Sequence, residues 1–323
     1  MSFQKTAVIG AGSWGTALSI LWAKQGKTVT LWGHNQERLS KSRVAAEKIA
    51  QIKLTTDLSA CVEADLVVIV TPSTAVREIA TALRPHIHGG ATLLSCTKGI
   101  EHGTGLRMTR ILAEVLPGHR VAALSGPNLA MEVSRDLPTA TVVGCEEIEI
   151  AEALQRYLGS PRFRIYSSNE TAGIELGGAL KNVFAIAAGV SDGFGLGDNS
   201  KAALVTRALA EMLRLGTAMG GKAETFYGLS GAGDLIATCF SKLSRNRSVG
   251  EQLGQGRTVE EIVTSMQTVA EGIPTTQSAF ECARQLNVET PIIDAVHAIL
   301  NERKQPAQAL EELLARDPKP ESS

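Results

Sequence analysis

The glycine-rich turn G-A-G-S-W-G at residues 10–15 constrains this chain more than any other stretch. It follows a short β-rich run at 6–9 and leads into a helix-like segment. In this context Gly10 permits the tight turn, Gly12 lets the backbone approach a pyrophosphate, and Gly15 lets the helix pack close to the strand. The pyrophosphate would then meet the amides and the positive dipole end of that helix. The pattern therefore predicts a dinucleotide site of the Rossmann type.

The next predicted strand, residues 28–32, bears on the choice of cofactor. An NAD-selective site usually places an acid at the end of this strand to hold the ribose 2′-hydroxyl. Here the strand is followed by His34, with Arg38 one turn later, and neither residue is acidic. These side chains tolerate or favour a 2′-phosphate, so we predict that NADPH is accepted. The alternative is that His34 is an ordinary surface residue of the turn.

Further strand candidates follow in a strand and helix rhythm. They lie at residues 65–70, 91–96, 120–125 and 140–143. Each is apolar throughout, which is typical of a parallel sheet buried on both faces. After residue 166 the strand signals stop and long helical patterns take over. We predict an α/β fold, with a doubly wound Rossmann-type sheet in residues 1–170 and an all-α substrate domain in residues 171–323.

Composition excludes several other classes of protein. The hydrophobic content of 44%, the charged content of 20% and the net charge of −1 fit a globular protein without a basic surface for nucleic acid. The apolar runs break before the roughly 20 residues that a bilayer needs, and strand-like sequence begins too early for a secretory signal. The five cysteines form no C-x-x-C pair, and no zinc-type motif occurs. We expect a cytoplasmic protein with no metal, no nucleic-acid partner and no membrane span.

The segment 172–190 is apolar on every side, which is typical of a buried helix. Its strongly polar members are Glu175, Lys181 and Asn182. Small residues lie one turn either side of Lys181, and Glu175 stands at the wrong spacing to pair with it. A buried lysine is costly unless a distant residue or a ligand meets it, so we hypothesise that Lys181 faces a substrate. The alternative is a lysine whose stem covers apolar surface and whose ammonium reaches water.

Three loops carry other side chains suited to chemistry. Lys98 follows a predicted strand, at the carboxyl edge of the sheet where ligands bind. Asp234 emerges from a glycine-rich stretch that predicts close backbone approach. The basic run 241–247 offers donors for a phosphate, namely Ser244, Arg245 and Asn246. The alternatives are a solvated loop for Lys98 and an exposed helix start for the basic run.

Several of these motifs occur together and in a fixed order. They are GAGSWGTA at 10–17, TKGI at 97–100, SGP at 125–127, EL at 175–176 with ALKN at 179–182, GAGDL at 231–235 and SRN at 244–246. The combination closely resembles the bacterial NAD(P)-dependent sn-glycerol-3-phosphate dehydrogenases over nearly the whole chain. The resemblance implies reversible reduction of dihydroxyacetone phosphate to glycerol 3-phosphate with NADP(H) or NAD(H), feeding glycerophospholipid synthesis. It leaves a homodimer open.

The resemblance also implies roles for individual residues. Lys181 matches the catalytic acid/base, and we expect Lys98 and Asp234 to act with it. Substrate contacts are expected at Lys98, Gly126, Asn128, Lys181, Asn182, Asp234, Ser244, Arg245 and Asn246. Cofactor contacts are expected at Gly10, Gly12, Ser13, Trp14, Gly15, His34, Lys98, Ala130, Arg245, Val269 and Glu271.

One segment departs from the family pattern. Before residues 54–57 the family usually carries an N-x-x-Y-L-P-type segment, whereas residues 40–50 are shorter and contain no tyrosine. A real deletion or residues missing from the sequence would each explain the difference, and in either case we assign no cofactor contact to this segment.

Reduction of a ketone by hydride needs a proton donor at the carbonyl oxygen, and the ammonium of Lys181 can serve. Burial and the cation Lys98 would lower the pKa of Lys181, while Asp234 would oppose that shift. Arg245 and Asn246 would hold the substrate phosphate in one orientation.

Two other functions stay open on the sequence. A related β-hydroxyacid or ketopantoate reductase would want groups for a carboxylate, whereas residues 244–246 with Gly126 suit a phosphate. A non-catalytic dinucleotide-sensing protein would need the glycine turn but would have no use for Lys98, Lys181 and Asp234 together.

Overall fold

A computed structural model describes residues 3–40, 42, 44, 49–266, 270–318 and 320–321 of the chain. Within these residues the first half of the chain forms one sheet of eight strands. The strands are β1 (Lys5–Ile9), β2 (Thr28–Trp32), β3 (Ile52–Thr55), β4 (Leu66–Ile69), β5 (Thr92–Ser95), β6 (Arg120–Ser125), β7 (Thr139–Cys145) and β8 (Phe163–Ser168). Val269 and much of the segment 40–50 lie outside the described residues.

The strands are ordered β3-β2-β1-β4-β5-β6-β7-β8 across the sheet. All neighbours are parallel except β6 and β7, which are antiparallel. The prediction that 140–143 belongs to a parallel sheet is therefore wrong at the β6–β7 pairing. The connection at 126–138, all of which the structure describes, is long enough for a parallel crossover, but its helix has five residues where such a crossover usually contains a full helix. The edge strand β3 was not among the predicted strands.

Helices cover both faces of the sheet, so the predicted doubly wound α/β fold is confirmed. These helices are α1 (Ser13–Lys24), α2 (Gln36–Ser40), α3 (Val76–Leu83), α4 (Met108–Val115), α5 (Ala130–Ser134) and α6 (Ile148–Leu158). Helices α1 and α6 pack on one face through Leu18, Trp22 and Leu154. Helices α3 and α4 pack on the other face through Leu83 and Leu112.

The second half is helical, as predicted. It contains α7 (Ala172–Gly193), α8 (Gly197–Ala218), α9 (Ala223–Phe226), a π-helical turn (Leu229–Gly233), α10 (Asp234–Phe240), α11 (Arg245–Gly254), α12 (Val259–Ser265), α13 (Gly272–Gln285), α14 (Pro291–Asn301) and α15 (Pro306–Leu314). Short 3₁₀ segments at Leu58–Cys61, Ser73–Ala75 and Arg84–His86 complete the first half.

Helix α7 is the centre of the helical half, and α8, α10, α11 and α13 pack around it. Its length and apolarity would suffice for a membrane span, but 94% of its most apolar window is buried inside the protein. Its backbone touches that of α11, because a Cβ on Gly189 would lie 1.9 Å from the Arg247 carbonyl oxygen. The contact is reciprocal, because a Cβ on Gly250 of α11 would lie 1.9 Å from the carbonyl oxygen of Ile186 on α7. Glycines at this crossing therefore set the depth at which α11 meets α7.

Candidate active site

The glycine turn after β1 has the geometry that the sequence predicts for a pyrophosphate. Gly10 has a φ of 124°, which favours glycine, and a Cβ there would lie 2.7 Å from the Val70 carbonyl oxygen. A Cβ on Gly15 would lie 1.9 Å from the Gly10 carbonyl oxygen, so α1 packs closely against the turn. A Cβ on Gly12 would meet open space. Among the described residues no side chain caps α1, and no acid lies in its first turn, so the helix N-terminus suits an anion.

Other expected cofactor contacts lie around this turn at the carboxyl ends of the strands. Ser13 and Trp14 begin α1, and Ala130 begins α5 after β6. His34 is exposed just beyond β2, and no acid lies between the end of that strand and this residue. The side chain of Arg38, on α2, lies outside what the structure describes, as does Val269.

Asp234 lies between two lysines that come from different halves of the protein. Its Oδ2 accepts a hydrogen bond from Lys98 Nζ at 2.5 Å, and its Oδ1 lies 3.1 Å from Lys181 Nζ. Asp234 is 2% exposed and Lys181 is 7% exposed. Lys98 Nζ also donates to the carbonyl oxygen of Gly126 at 2.9 Å. The structure therefore brings together the three residues expected to be catalytic, and it identifies Asp234 as the distant partner of Lys181.

Burial dominates the electrostatics of Lys181. The pKa of Lys181 is lowered from 10.5 to about 8, and removal from water is the largest cause. The carboxylate of Asp234 opposes this shift, and the positive charge of Lys98 adds to it. These are the directions expected from the sequence. A lysine with this pKa can exchange a proton close to neutral pH, which an ordinary lysine with a pKa of 10.5 does much less readily.

Thr238 is a member of this cluster that the sequence analysis missed. Its Oγ1 accepts a hydrogen bond from Lys181 Nζ at 2.6 Å and donates to Asp234 Oδ1 at 3.2 Å. It follows Asp234 by one turn on α10, so the i, i+4 spacing was an available signal. Thr238 fixes the ammonium of Lys181 and the carboxylate of Asp234 relative to each other.

The turn after β6 contributes backbone groups to the site. Gly126 has a φ of 149°, and its carbonyl oxygen accepts from Lys98. Asn128 is oriented by its Nδ2, which donates to Thr141 Oγ1 at 2.9 Å. The Oδ1 of Asn128 is buried and has no hydrogen-bond partner among the described residues. An amide oxygen in this state suits a ligand hydroxyl.

The expected phosphate-binding segment lies at the start of α11. Ser244 Oγ caps the helix by accepting from the Arg247 backbone N–H at 3.2 Å. Asn246 is buried, donates to Asn182 Oδ1 at 2.8 Å and accepts from the Gly272 N–H at 2.9 Å. The hydroxyl of Ser244 and the side-chain oxygen of Asn182 thus already have partners within the protein. Arg245 is exposed, and no hydrogen bond or ion pair within the described part of the chain occupies it.

Glu271 joins the helical half to the sheet. Its carboxylate accepts from Ser73 Oγ at 2.6 Å and from the Ser73 N–H at 3.3 Å, in the turn after β4. Burial raises the pKa of Glu271, while the Ser73 hydrogen bonds and the positive charge of Arg245 lower it. This boundary is where the sequence analysis expects cofactor and substrate to meet. Within the same described ranges, no three His, Cys, Asp or Glu side chains gather as metal ligands would.

Two family models match the chain. The model for the N-terminus of NAD-dependent glycerol-3-phosphate dehydrogenase matches residues 5–151, and the model for its C-terminus matches residues 170–311. The chain belongs to the NAD-dependent glycerol-3-phosphate dehydrogenase family. The resemblance drawn from the motifs is thereby confirmed.

Individual relatives of this family agree along nearly the full length. The glycerol-3-phosphate dehydrogenase [NAD(P)+] of Geobacter metallireducens is 46% identical, covering 98% of this chain and 99% of that protein. The enzyme of the same name from Syntrophotalea carbinolica is also 46% identical, covering 97% and 98%. A crystal structure of glycerol-3-phosphate dehydrogenase from Coxiella burnetii has a TM-score of 0.92 at 38% identity, covering 97% of this chain and 99% of that one.

We expect Lys181 to titrate near pH 8 in the protein without ligands. Isotope-labelled lysine side chains can be followed by NMR across pH, and the resonance of Lys181 is assigned by its loss in Lys181→Met. In Asp234→Asn this lysine should titrate at a still lower pH, because the change removes the charge that raises its pKa. Titration of Lys181 near the ordinary value of 10.5 would contradict the electrostatics described above.

Proposed function

We propose that this chain reduces dihydroxyacetone phosphate to sn-glycerol 3-phosphate by reversible hydride transfer from NADPH or NADH. The observation that carries the proposal is the contact of Lys181, Asp234 and Lys98, buried at the sheet edge that also carries the glycine turn. Membership of the family and the names of its relatives agree with this activity.

Lys181 acts as the proton donor and acceptor. A bound nicotinamide cofactor supplies or accepts the hydride. The ammonium of Lys181, which dominates below pH about 8, donates its proton to the ketone oxygen during reduction. The neutral amine, which dominates at higher pH, takes the proton from the alcohol during oxidation. Asp234 and Thr238 hold the amine, and burial keeps water from competing with the substrate oxygen.

The remaining site residues bind and orient the ligands. Arg245 and Asn246, with Ser244 fixing the start of α11, hold the phosphate of the substrate, and Gly126, Asn128 and Asn182 line its carbon chain. The glycine turn binds the pyrophosphate of the cofactor. The other residues that contact the cofactor are Ser13, Trp14, His34, Lys98, Ala130, Arg245, Val269 and Glu271.

We further propose that residues 1–170 bind the dinucleotide and residues 171–323 bind the substrate. The last strand ends at Ser168 and the first helix of the helical half begins at Ala172, which supports a boundary there. The product would feed glycerophospholipid synthesis in the cytoplasm. A homodimer is also proposed, and light scattering would test it by comparing the mass in solution with the 34.1 kDa of one chain.

The two alternative functions are less well supported. A β-hydroxyacid or ketopantoate reductase and a dinucleotide sensor would each leave part of the site without a role. Consumption of a β-hydroxyacid or of ketopantoate, but not of dihydroxyacetone phosphate, would select the reductase. Cofactor binding without turnover of any of these substrates would select the sensor.

The activity itself is tested by following NADPH absorbance with dihydroxyacetone phosphate. Lys181→Ala should lower kcat by about 10²- to 10⁴-fold, the usual contribution of a general acid. Arg245→Ala should raise the KM for dihydroxyacetone phosphate by roughly 10- to 100-fold, because a charge-assisted contact is lost.

The control for Arg245→Ala is Arg257→Ala. Arg257 is exposed and lies just beyond the end of α11, so its loss should leave the KM for dihydroxyacetone phosphate unchanged. Cofactor binding by Lys181→Ala, measured by fluorescence titration, should match that of the wild type. Near-normal turnover by Lys181→Ala with intact cofactor binding would refute the role of this lysine.

Cofactor choice should depend on His34. In His34→Asp the new carboxylate can bind a ribose 2′-hydroxyl and repel a 2′-phosphate. We expect the ratio of kcat/KM for NADPH to that for NADH to fall by about 10-fold or more. The control is His88→Asp, because His88 lies before β5, at the amino-terminal ends of the strands and not at the carboxyl ends where His34 lies. An unchanged ratio in His34→Asp would identify His34 as an ordinary surface residue.

A further inference from the structure

Glu175 is a buried charged residue of α7 that the proposed reaction does not use. It is 6% exposed and lies less than two turns before Lys181. Its carboxylate accepts hydrogen bonds from Arg107 Nη1 at 2.6 Å, from the Thr109 N–H at 2.8 Å and from Thr109 Oγ1 at 2.5 Å. Glu175 therefore has three donors, and all of them lie at the start of α4 in the sheet half.

These contacts cross between the two halves of the protein. Helix α4 packs on the sheet through Met108, Ile111 and Leu112, so its start is fixed relative to the glycine turn. Helix α7 carries Lys181. A charge-assisted network of this kind, buried away from water, is directional and strong. Glu175 thus joins the helix that carries the proton donor to the half that carries the dinucleotide site.

A second contact holds α7 against the sheet between Glu175 and Lys181. A Cβ on Gly178 would lie 2.3 Å from Ser125 Oγ, at the end of β6, and 3.4 Å from Lys98 Cγ. The helix backbone therefore rests on the sheet edge beside the lysine that shares Asp234. The contacts at Glu175 and Gly178 together fix the rotation of α7 and its distance from the sheet at the position of Lys181.

We propose that Glu175 is a positioning residue that sets the distance and direction of Lys181, and of the ketone bound to it, relative to the nicotinamide. The inference rests on the proposed function, since it concerns the hydride step of that reaction. Glu175 does not touch the substrate. Its effect arises because hydride transfer needs near-contact geometry, and a displacement of about 1 Å can cost about 10²-fold in rate.

The alternative is that Glu175 only stabilises the fold and has no positioning role. Glu211 offers a matched control that distinguishes the two. Glu211 is 1% exposed and accepts from the N–H groups of Ile292 at 3.0 Å and Ile293 at 2.8 Å. Glu211 lies on α8, and its buried carboxylate likewise accepts from the start of another helix, here α14. Both of its partners lie within the helical half, so its loss leaves the seating of α7 on the sheet intact.

The test compares Glu175→Gln with Glu211→Gln in the full-length protein. The measured quantities are kcat, both KM values and the primary deuterium isotope effect with NADPH deuterated at the transferred position. In Glu175→Gln we expect kcat to fall by about 10- to 100-fold, with KM values within about threefold of the wild type. The isotope effect should rise because hydride transfer becomes slower than the other steps. Glu211→Gln should change neither kcat nor the isotope effect.

A second readout needs no cofactor and no turnover. Asp234 and Thr238 belong to the helical half and stay with Lys181 if α7 loosens from the sheet. Lys181 then keeps the carboxylate that raises its pKa and moves away from Lys98, whose charge lowers that pKa. The pKa of Lys181 should therefore rise above about 8 in Glu175→Gln, measured by NMR of labelled lysine. The lost negative charge of Glu175 would by itself lower that pKa, so a rise reports a change in seating.

The outcomes separate this inference from the proposed function. An unchanged kcat, isotope effect and Lys181 pKa in Glu175→Gln would overturn the positioning role, as would equal changes in Glu211→Gln. If the wild type fails to oxidise NADPH, the proposed function fails. The pKa of Lys181 in Glu175→Gln then tests by itself whether Glu175 holds α7 against the sheet half. Should Glu175→Gln not fold, Thr109→Val removes one donor and should produce smaller changes in the same directions.

Discussion

The structure depends on one carboxylate that faces two ammonium groups. Lys98 and Lys181 both approach Asp234 in a region shielded from water, and without that carboxylate they would be two like charges in a medium of low dielectric. The backbone is adapted to deliver Asp234 to this point. A Cβ on Gly231 would lie 2.0 Å from the Phe226 carbonyl oxygen, and one on Gly177 would lie 2.6 Å from that of Ser230. These glycines let the turn before α10 approach α7 closely enough for the charges to meet.

Helix α7 is apolar on every side because every side is covered. Its first turns lie on the sheet half, where Glu175 contacts the start of α4 and Gly178 contacts the end of β6. Its later turns lie inside the bundle, where Gly189 touches α11. A helix enclosed in this way can hold a lysine in a dry site, provided that each charge on it has a defined partner. The order along α7 places Glu175, which contacts the sheet half, less than two turns before the amine of Lys181.

The sequence predicts those features that depend on local pattern. The glycine turn, the apolar strands and the buried helix are set by neighbouring residues, and each was found where it was predicted. Partners distant in sequence were harder to foresee. Lys181 and Thr238 are 57 residues apart in the sequence, Glu175 and Arg107 are 68 apart, and Glu271 and Ser73 are 198 apart, yet each pair forms a hydrogen bond. The direction of β7 was predicted wrongly, because the apolarity of a strand indicates that it is buried and does not indicate whether it runs parallel to its neighbour.

The two arginines of the basic run show how the same side chain takes opposite roles within one turn of helix. Arg247 turns inward, where its guanidinium meets Asp192 at 2.5 Å, Glu251 at 2.9 Å and the Ser241 carbonyl oxygen at 3.1 Å. Asp192 also pairs with Lys201 at 2.8 Å, so the positive charges inside this cluster are matched by acids. Arg245, two positions earlier, points to another side of α11 and stays exposed. The charge of Arg247 is neutralised by acids in direct contact, whereas no carboxylate within the described residues forms an ion pair with Arg245. The distribution of acids, rather than the density of bases, therefore distinguishes the two arginines.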